Sequence, residues 1–391
     1  MPSTPRSSLF ERHPRSTLSV IILVALLVLD VIAANLVHAV LGQPLREHLE
    51  ARRSAPDRVF RTPDVRYHHG FKPDIAPLTA HWGHADYIMA TNSEAMKDAA
   101  PREIAPRHDG QRILLMGDSF TEGIGVSHGQ TFAGRIAAAL APRGIEVLNA
   151  GVSSYAPIIH WRRLKHLLEE RGLHIDEVVI YLDLSDVRDQ AIIYGETPEG
   201  NVGDLKVAGT RSDPVPGSIP AASPWISRHT LAVRALRDLA VGWWQGVAHP
   251  EKALRDRYGL DQWPARWTFD QAVFHTVGAK GIARMKKYMD RVAALCDQHG
   301  IGLTVAVYPW PDQTARGELD SLQVLIWREW AEEHGAGFIN HFPDFIDPAA
   351  SVEQRLETIA RYHIRGDSHW NEAGHARIAE GFLRRWPDTS P

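Results

Sequence analysis

Two short stretches, separated by most of the chain, carry the residue types of nucleophilic catalysis. The run Gly117-Asp118-Ser119-Phe120-Thr121-Glu122-Gly123 follows directly on the apolar segment Arg112 to Met116. A serine just past the carboxyl end of a strand sits where open α/β sheets place their ligand crevice, and flanking glycines permit a tight turn and close substrate approach. Gly-Asp-Ser alone is also ordinary turn chemistry, and a serine hydroxyl needs a base before it attacks. The run Gly366-Asp367-Ser368-His369-Trp370-Asn371-Glu372-Ala373-Gly374-His375 supplies one. His369 can accept the serine proton, and Asp367 can hold the tautomer of the imidazole and stabilise its charged form. By themselves these two read as a loop histidine and a helix-capping aspartate; together with the serine turn they read as an acyl-transfer site.

The elements that must position these residues alternate. Arg112 to Met116, Glu146 to Leu148, Glu177 to Leu182, Gly302 to Tyr308 and Gly337 to Ile339 are short apolar runs that predict strands. Thr131 to Ala141, Ile158 to Arg171, Ala279 to His299, Leu319 to His334 and Glu372 to Arg385 have helical length and spacing. Strand and helix in alternation predict an α/β fold, a three-layer αβα sandwich on a mainly parallel sheet. The alternation fails between about residues 195 and 277, which predicts an insertion with a helical pattern near Ile226 to Val247. It carries Trp225, Trp243, Trp244, Trp263 and Trp267. Tryptophans at helical spacing are expected in the core, with sugar stacking or a membrane interface as the rival readings.

Ahead of this domain, which the sequence places at 109–391, lie three segments: a tail over 1–17, an apolar stretch over 18–41 and a polar juxtamembrane region over 42–108. Twenty-four helical residues from Leu18 to Leu41 reach about 36 Å, enough to cross a hydrocarbon core of about 30 Å. A single-span anchor is expected, and a cleaved signal peptide with Val31-Ile32-Ala33 as its cleavage site is the alternative. Arg6, Arg12 and Arg15 before the span are balanced by Arg46, Arg52 and Arg53 after it, so charge does not orient it. Asp30, with His38 on nearly the same helical face, is costly inside a bilayer, and that face is expected either to meet a membrane partner or simply to be tolerated.

The remaining composition excludes more than it assigns. With 43 basic and 47 acidic residues the formal charge is −4, which does not suggest a nucleic-acid binder. The lone Cys296 excludes an internal disulfide and any multi-cysteine metal site, and scattered histidines without a His-Glu-x-x-His motif predict no metal.

Over residues 111 to 386 the sequence resembles the SGNH (GDSL-type) hydrolase superfamily. Gly117-Asp118-Ser119 is similar to its first block, Asn149-Ala150-Gly151-Val152-Ser153-Ser154-Tyr155 to its second, and Asp367-Ser368-His369 to its last, in the Asp-x-His-Trp-Asn form of bacterial polysaccharide acetylation proteins. The third block departs: after Val178 to Leu182 the family has Gly-x-Asn-Asp, whereas this chain reads Asp183-Leu184-Ser185-Asp186. The resemblance implies a Ser119-His369-Asp367 triad and an oxyanion hole of the backbone N–H groups of Ser119 and Gly151, with Ser185 where the asparagine stands in the family. A serine hydroxyl is a poorer preorganised donor, and one such donor is worth about 3 kcal/mol. Tyr67-His68-His69 and Thr91-Asn92-Ser93 resemble a leader in membrane-anchored bacterial relatives.

These readings predict a membrane-anchored serine esterase or O-acyltransferase, needing no cofactor, with its domain in the periplasm and acylated glycan as substrate. Relatives of this type imply a membrane-embedded acyltransferase as partner. A non-catalytic glycan-binding or scaffold protein on the same frame is the alternative, and a lipase a third.

Overall fold

The computed structural model describes residues 13–42, 44–45, 57–205, 229–248 and 250–386. Arg6, Arg12, Arg46, Arg52, Arg53, the Gly/Pro-rich stretch beyond residue 205 and Trp225 lie outside them. The chain divides into two compact units, Met1–Ser54 with Gly209–Ala253, and Ala55–Ala208 with Leu254–Pro391.

Along the chain, α1 (Pro14–Leu41) precedes two antiparallel hairpins, β1 (Arg61–Asp64) with β2 (His68–Phe71), and β3 (Leu78–Trp82) with β4 (Ala85–Met89). Then come β5 (Arg112–Met116), α2 (Phe132–Leu140), β6 (Glu146–Asn149), α3 (Pro157–Lys165) and β7 (Glu177–Leu182). A small hairpin, β8 (Tyr194–Glu196) with β9 (Val202–Asp204), leads into the insertion with α4 (Ala232–Ala248). The chain finishes with α5 (Ala279–His299), β10 (Gly302–Val307), α6 (Leu322–Glu333), β11 (Gly337–Asn340), α7 (Val352–Tyr362) and α8 (Glu372–Arg385).

In the larger unit the central sheet has five strands in the order β11-β10-β7-β5-β6, and every pairing is parallel. Parallel strands covered on both faces read as continuous apolar runs, and all five residues of Arg112–Met116 are buried. Right-handed crossovers with this order place helices on both faces. Accordingly α2 packs on α8, while α3 packs on α5. The result is the three-layer αβα sandwich. Counted in chain order the core strands lie 2-1-3-4-5, so the connections leaving β5 and β6 run to opposite sides, and a crevice opens at the carboxyl ends of β5 and β7.

Trp267 of the insertion is buried, with its Nε1 donating to the Leu184 carbonyl at 3.0 Å. Trp243, Trp244 and Trp263, expected in the core with it, are exposed. In the smaller unit α1 runs for 28 residues and is the one described helix long and apolar enough to cross a membrane.

Candidate active site

The backbone turns sharply where β5 ends, and small residues make the turn possible. A Cβ on Gly117 would lie 2.1 Å from Thr121 Oγ1, so only glycine fits there. Asp118 then caps the single helical turn Ser119–Glu122, its Oδ1 accepting from Phe120 N at 2.9 Å. This lifts Ser119 to the sheet edge, 8% exposed. The loop after β6 presses against the same turn: a Cβ on Gly151 would lie 2.5 Å from Glu122 N. Glu122 fastens that loop by accepting from Ser153 N at 2.7 Å, and is itself held by Arg61 through both carboxylate oxygens. Lys97, wholly buried, donates to the carbonyls of Gly123 and Val126 at 2.8 and 2.6 Å, and burial lowers its ammonium to about 7.

The C-terminal loop delivers the base. Asn371 caps α8, accepting from Ala373 N and Gly374 N, while its amide donates to the carbonyls of Arg361 and His363. Trp370 is buried against Phe120, Tyr308 and Phe345, which fixes the residue next to His369. His369 Nε2 then lies 2.8 Å from Ser119 Oγ, and His369 Nδ1 2.6 Å from Asp367 Oδ1. Asp367 Oδ1 also accepts from the His369 backbone N–H at 2.9 Å. Its other oxygen, Oδ2, accepts from Trp82 Nε1 at 2.8 Å, and the indole meets the imidazole edge-to-face at 5.4 Å. Burial alone would raise the Asp367 carboxyl, but the His369 and Trp82 donors bring it down to about 2. An imidazole in contact with a serine hydroxyl on one side and an ionised carboxylate on the other is the arrangement of a general base poised to activate a nucleophile.

The three sequence blocks that resemble the SGNH-type hydrolases are thus placed around Ser119, Gly117–Ser119 at the turn, Gly151 against Glu122 and Asp367–His369 beside the hydroxyl.

The oxyanion donors expected from that resemblance are arranged less openly. Ser185 directs both its backbone N–H and its hydroxyl to Asp183 Oδ1, at 2.7 and 2.5 Å. The Gly151 N–H donates to Asn149 Oδ1 at 3.1 Å, and the Asn149 Nδ2 group is buried without a partner.

Behind the serine lies a feature that was not among the expectations from sequence. Asp118, Asp183 and Asp186 are buried, with a carboxylate oxygen of each within 4.8 Å of the others. Tyr308 OH donates to Asp118 Oδ1 at 3.2 Å, Trp310 Nε1 to Asp183 Oδ2 at 2.6 Å, and Asp183 N to Asp186 Oδ2 at 3.0 Å. Asp186 Oδ1 has no partner. Among the described residues these three are the group that could hold a cation. Protonation relieves the same crowding: burial first, then the Asp183 charge, pushes both Asp118 and Asp186 well above the usual carboxylate range.

Trp82, Tyr308 and Trp310 were not among the candidates from sequence. The acidic pair in Asp183-Leu184-Ser185-Asp186, directly after a buried strand, was the one available signal for the cluster; Trp82 had none.

No protein-family model and no curated protein matches the sequence. Solved structures do. LAE5, an α/β hydrolase enzyme from the metagenome of Lake Arreo, Spain, is 15% identical, with 72% of this chain and 96% of that chain covered and a TM-score of 0.38. Axe2, an acetylxylan esterase from Geobacillus stearothermophilus, is 15% identical over 73% and 100% of the two chains, with a TM-score of 0.38. TesA is 14% identical over 70% and 97%, with a TM-score of 0.37. Likeness at this level carries no argument about the reaction, which rests on the geometry above.

Proposed function

We propose that this chain is a serine-dependent, ester-acting enzyme of the SGNH type, working through an acyl-serine intermediate. The observation that carries the proposal is the unbroken line Asp367–His369–Ser119, at 2.6 and 2.8 Å. Ser119 Oγ attacks an acyl carbonyl while His369 Nε2 takes its proton; the proton then passes to the leaving alcohol, and Asp367 stabilises the imidazolium throughout. Water as acceptor makes the enzyme an esterase, and a sugar hydroxyl makes it an O-acyltransferase. Acylated glycan outside the cytoplasm is the substrate class we favour, supported by the run Asp367-Ser368-His369-Trp370-Asn371, which resembles the Asp-x-His-Trp-Asn form of bacterial polysaccharide acetylation proteins. The apolar helix α1 supports a single span, with residues 18–41 in the bilayer; the catalytic unit in the periplasm and a membrane-embedded acyl exporter as partner rest on the resemblance to membrane-anchored bacterial relatives.

One observation favours a second reading, a glycan-binding scaffold without turnover: Ser185 and the Gly151 N–H, both expected in the oxyanion hole, are engaged by Asp183 and Asn149. A fluorophosphonate probe separates the two. Under the enzyme reading the full-length protein labels, and Ser119→Ala and His369→Ala each abolish labelling. A folded wild-type chain that does not label, in membranes as in detergent, sinks the enzyme and leaves the scaffold. For a chain that labels, acetyl transfer from an activated ester to an added oligosaccharide, read by mass spectrometry, divides transferase from esterase.

A further inference from the structure

The smaller unit holds an arrangement that the acyl-transfer site does not use. Asp30, near the middle of α1, directs its carboxylate at the start of α4: Oδ1 accepts from Leu231 N at 3.0 Å and Ala232 N at 2.7 Å, and Oδ2 from Val233 N at 3.1 Å. His229 Nδ1 lies 2.7 Å from Asn35 Oδ1, five residues further along α1. The first turn of α4 is therefore fastened to residues 30–35 of α1. Beyond that turn α4 presents Leu236, Leu239, Trp243 and Trp244, each more than half exposed at 67%, 72%, 68% and 59%. Spacings of three, four and one put them on a single helical stripe, and the register puts Arg234 on the opposite side.

We infer that α4 is an interfacial helix, lying in the same bilayer that α1 crosses with its Leu/Trp stripe in lipid. This rests on reading α1 as a membrane span, and three arguments support it. The first is depth. Asp30 lies about 18 Å along the helix from Leu18, so a core of about 30 Å entered at Leu18 ends about 12 Å beyond Asp30. That places the start of α4 just beneath the depth of about 5–10 Å at which interfacial helices sit. The second is the cap. A helix that starts below the water boundary leaves its first N–H groups without solvent to accept from them. Asp30 satisfies three of them, and those three donors in turn compensate a carboxylate that would be expensive there alone. The third is composition, since tryptophans beside leucines on one stripe suit the level where hydrocarbon gives way to headgroups. Connectivity fixes the leaflet: α4 follows α1 with no further membrane-length helix among the described residues between them, so it lies on the side where α1 emerges.

Spin labels on the full-length chain in nanodiscs of phosphatidylcholine and phosphatidylglycerol test this. Cys296 is the chain's one cysteine and is buried, so Cys296→Ser gives a clean background for single labels. Leu236→Cys, Leu239→Cys and Trp243→Cys should be relaxed by oxygen and protected from the water-soluble nickel chelate, as should Val24→Cys within the span; Arg234→Cys should show the reverse. A stripe open to nickel, or shielded from both reagents as under a protein partner, while Val24→Cys reads lipid, overturns the interfacial helix alone. A Val24→Cys label open to nickel overturns the span, and this inference with it. Asp30→Leu should keep Val24→Cys in lipid but abolish the nickel protection of the stripe. A stripe still protected in Asp30→Leu overturns the role given to the cap.

Discussion

Asp367 pairs with His369, and both of its oxygens are employed: one faces His369 and the other is held by Trp82, a residue 285 positions earlier in the chain. An indole N–H on a carboxylate removes one way for the aspartate to rotate out of line with the ring. Hydrogen bonds to charged groups are worth about 1.5–3 kcal/mol, and Asp367 is partly open to solvent, so the lower end applies. Trp82→Phe should therefore lower kcat about 10-fold at unchanged KM. Losing this donor raises the Asp367 carboxyl from about 2, yet leaves it ionised through the neutral range. The pH–rate profile above pH 5 should accordingly keep its shape, and a shifted acid limb would show that Trp82 acts on titration rather than on position. Ser119, His369 and Asp367 were legible in the sequence because each lies in a local motif. Trp82, Tyr308 and Trp310 were not, because their contacts exist only once segments far apart in the chain have folded onto the site.

Among the elements, α8 bears directly on the site, because the loop that enters it carries His369. Its C-terminal turn is tied down by Asp344, a buried carboxylate that accepts from Arg384 at 2.7 Å, from Arg385 at 2.8 and 2.9 Å, and pairs with His341 Nδ1 at 2.8 Å. Burial opposes its ionisation, but His341 and the arginines win and hold it at about 2. Because its pKa in the folded chain lies below the unfolded value, its contribution is complete above about pH 4 and is lost as the pH falls toward 2. Asp344→Asn should cost about 2–3 kcal/mol at pH 7, less than a fully buried pair because both arginines are partly exposed. Urea unfolding should show that difference at pH 7 and little of it near pH 2; an equal loss at both would mean packing rather than charge. The five strands were legible because each is a short apolar run, most fully buried in β5 and β7 at the middle of the sheet. α7 was not, since its sequence is mostly polar and its start is marked by a Ser351/Gln354 capping box rather than by an apolar stripe.

At the scale of the whole molecule, Ser119, His369, Asp367, Trp82 and the Asp118–Asp183–Asp186 cluster all belong to the larger unit. A chain starting at residue 55, with residues 209–253 replaced by a flexible linker, should fold and take the fluorophosphonate label as the full-length protein does. A folded but unlabelled fragment would mean that the smaller unit contributes to reactivity. Ser119 and His369 are 250 residues apart, and His369 lies just ahead of α8. At synthesis rates of about 5–20 residues per second, Ser119 leaves the ribosome about 12–50 s before His369 does. Through that interval Ser119 is without the His369 partner that the proposed mechanism requires. On that reading, reactivity appears only once the segment that carries His369 has folded back onto the β5 turn.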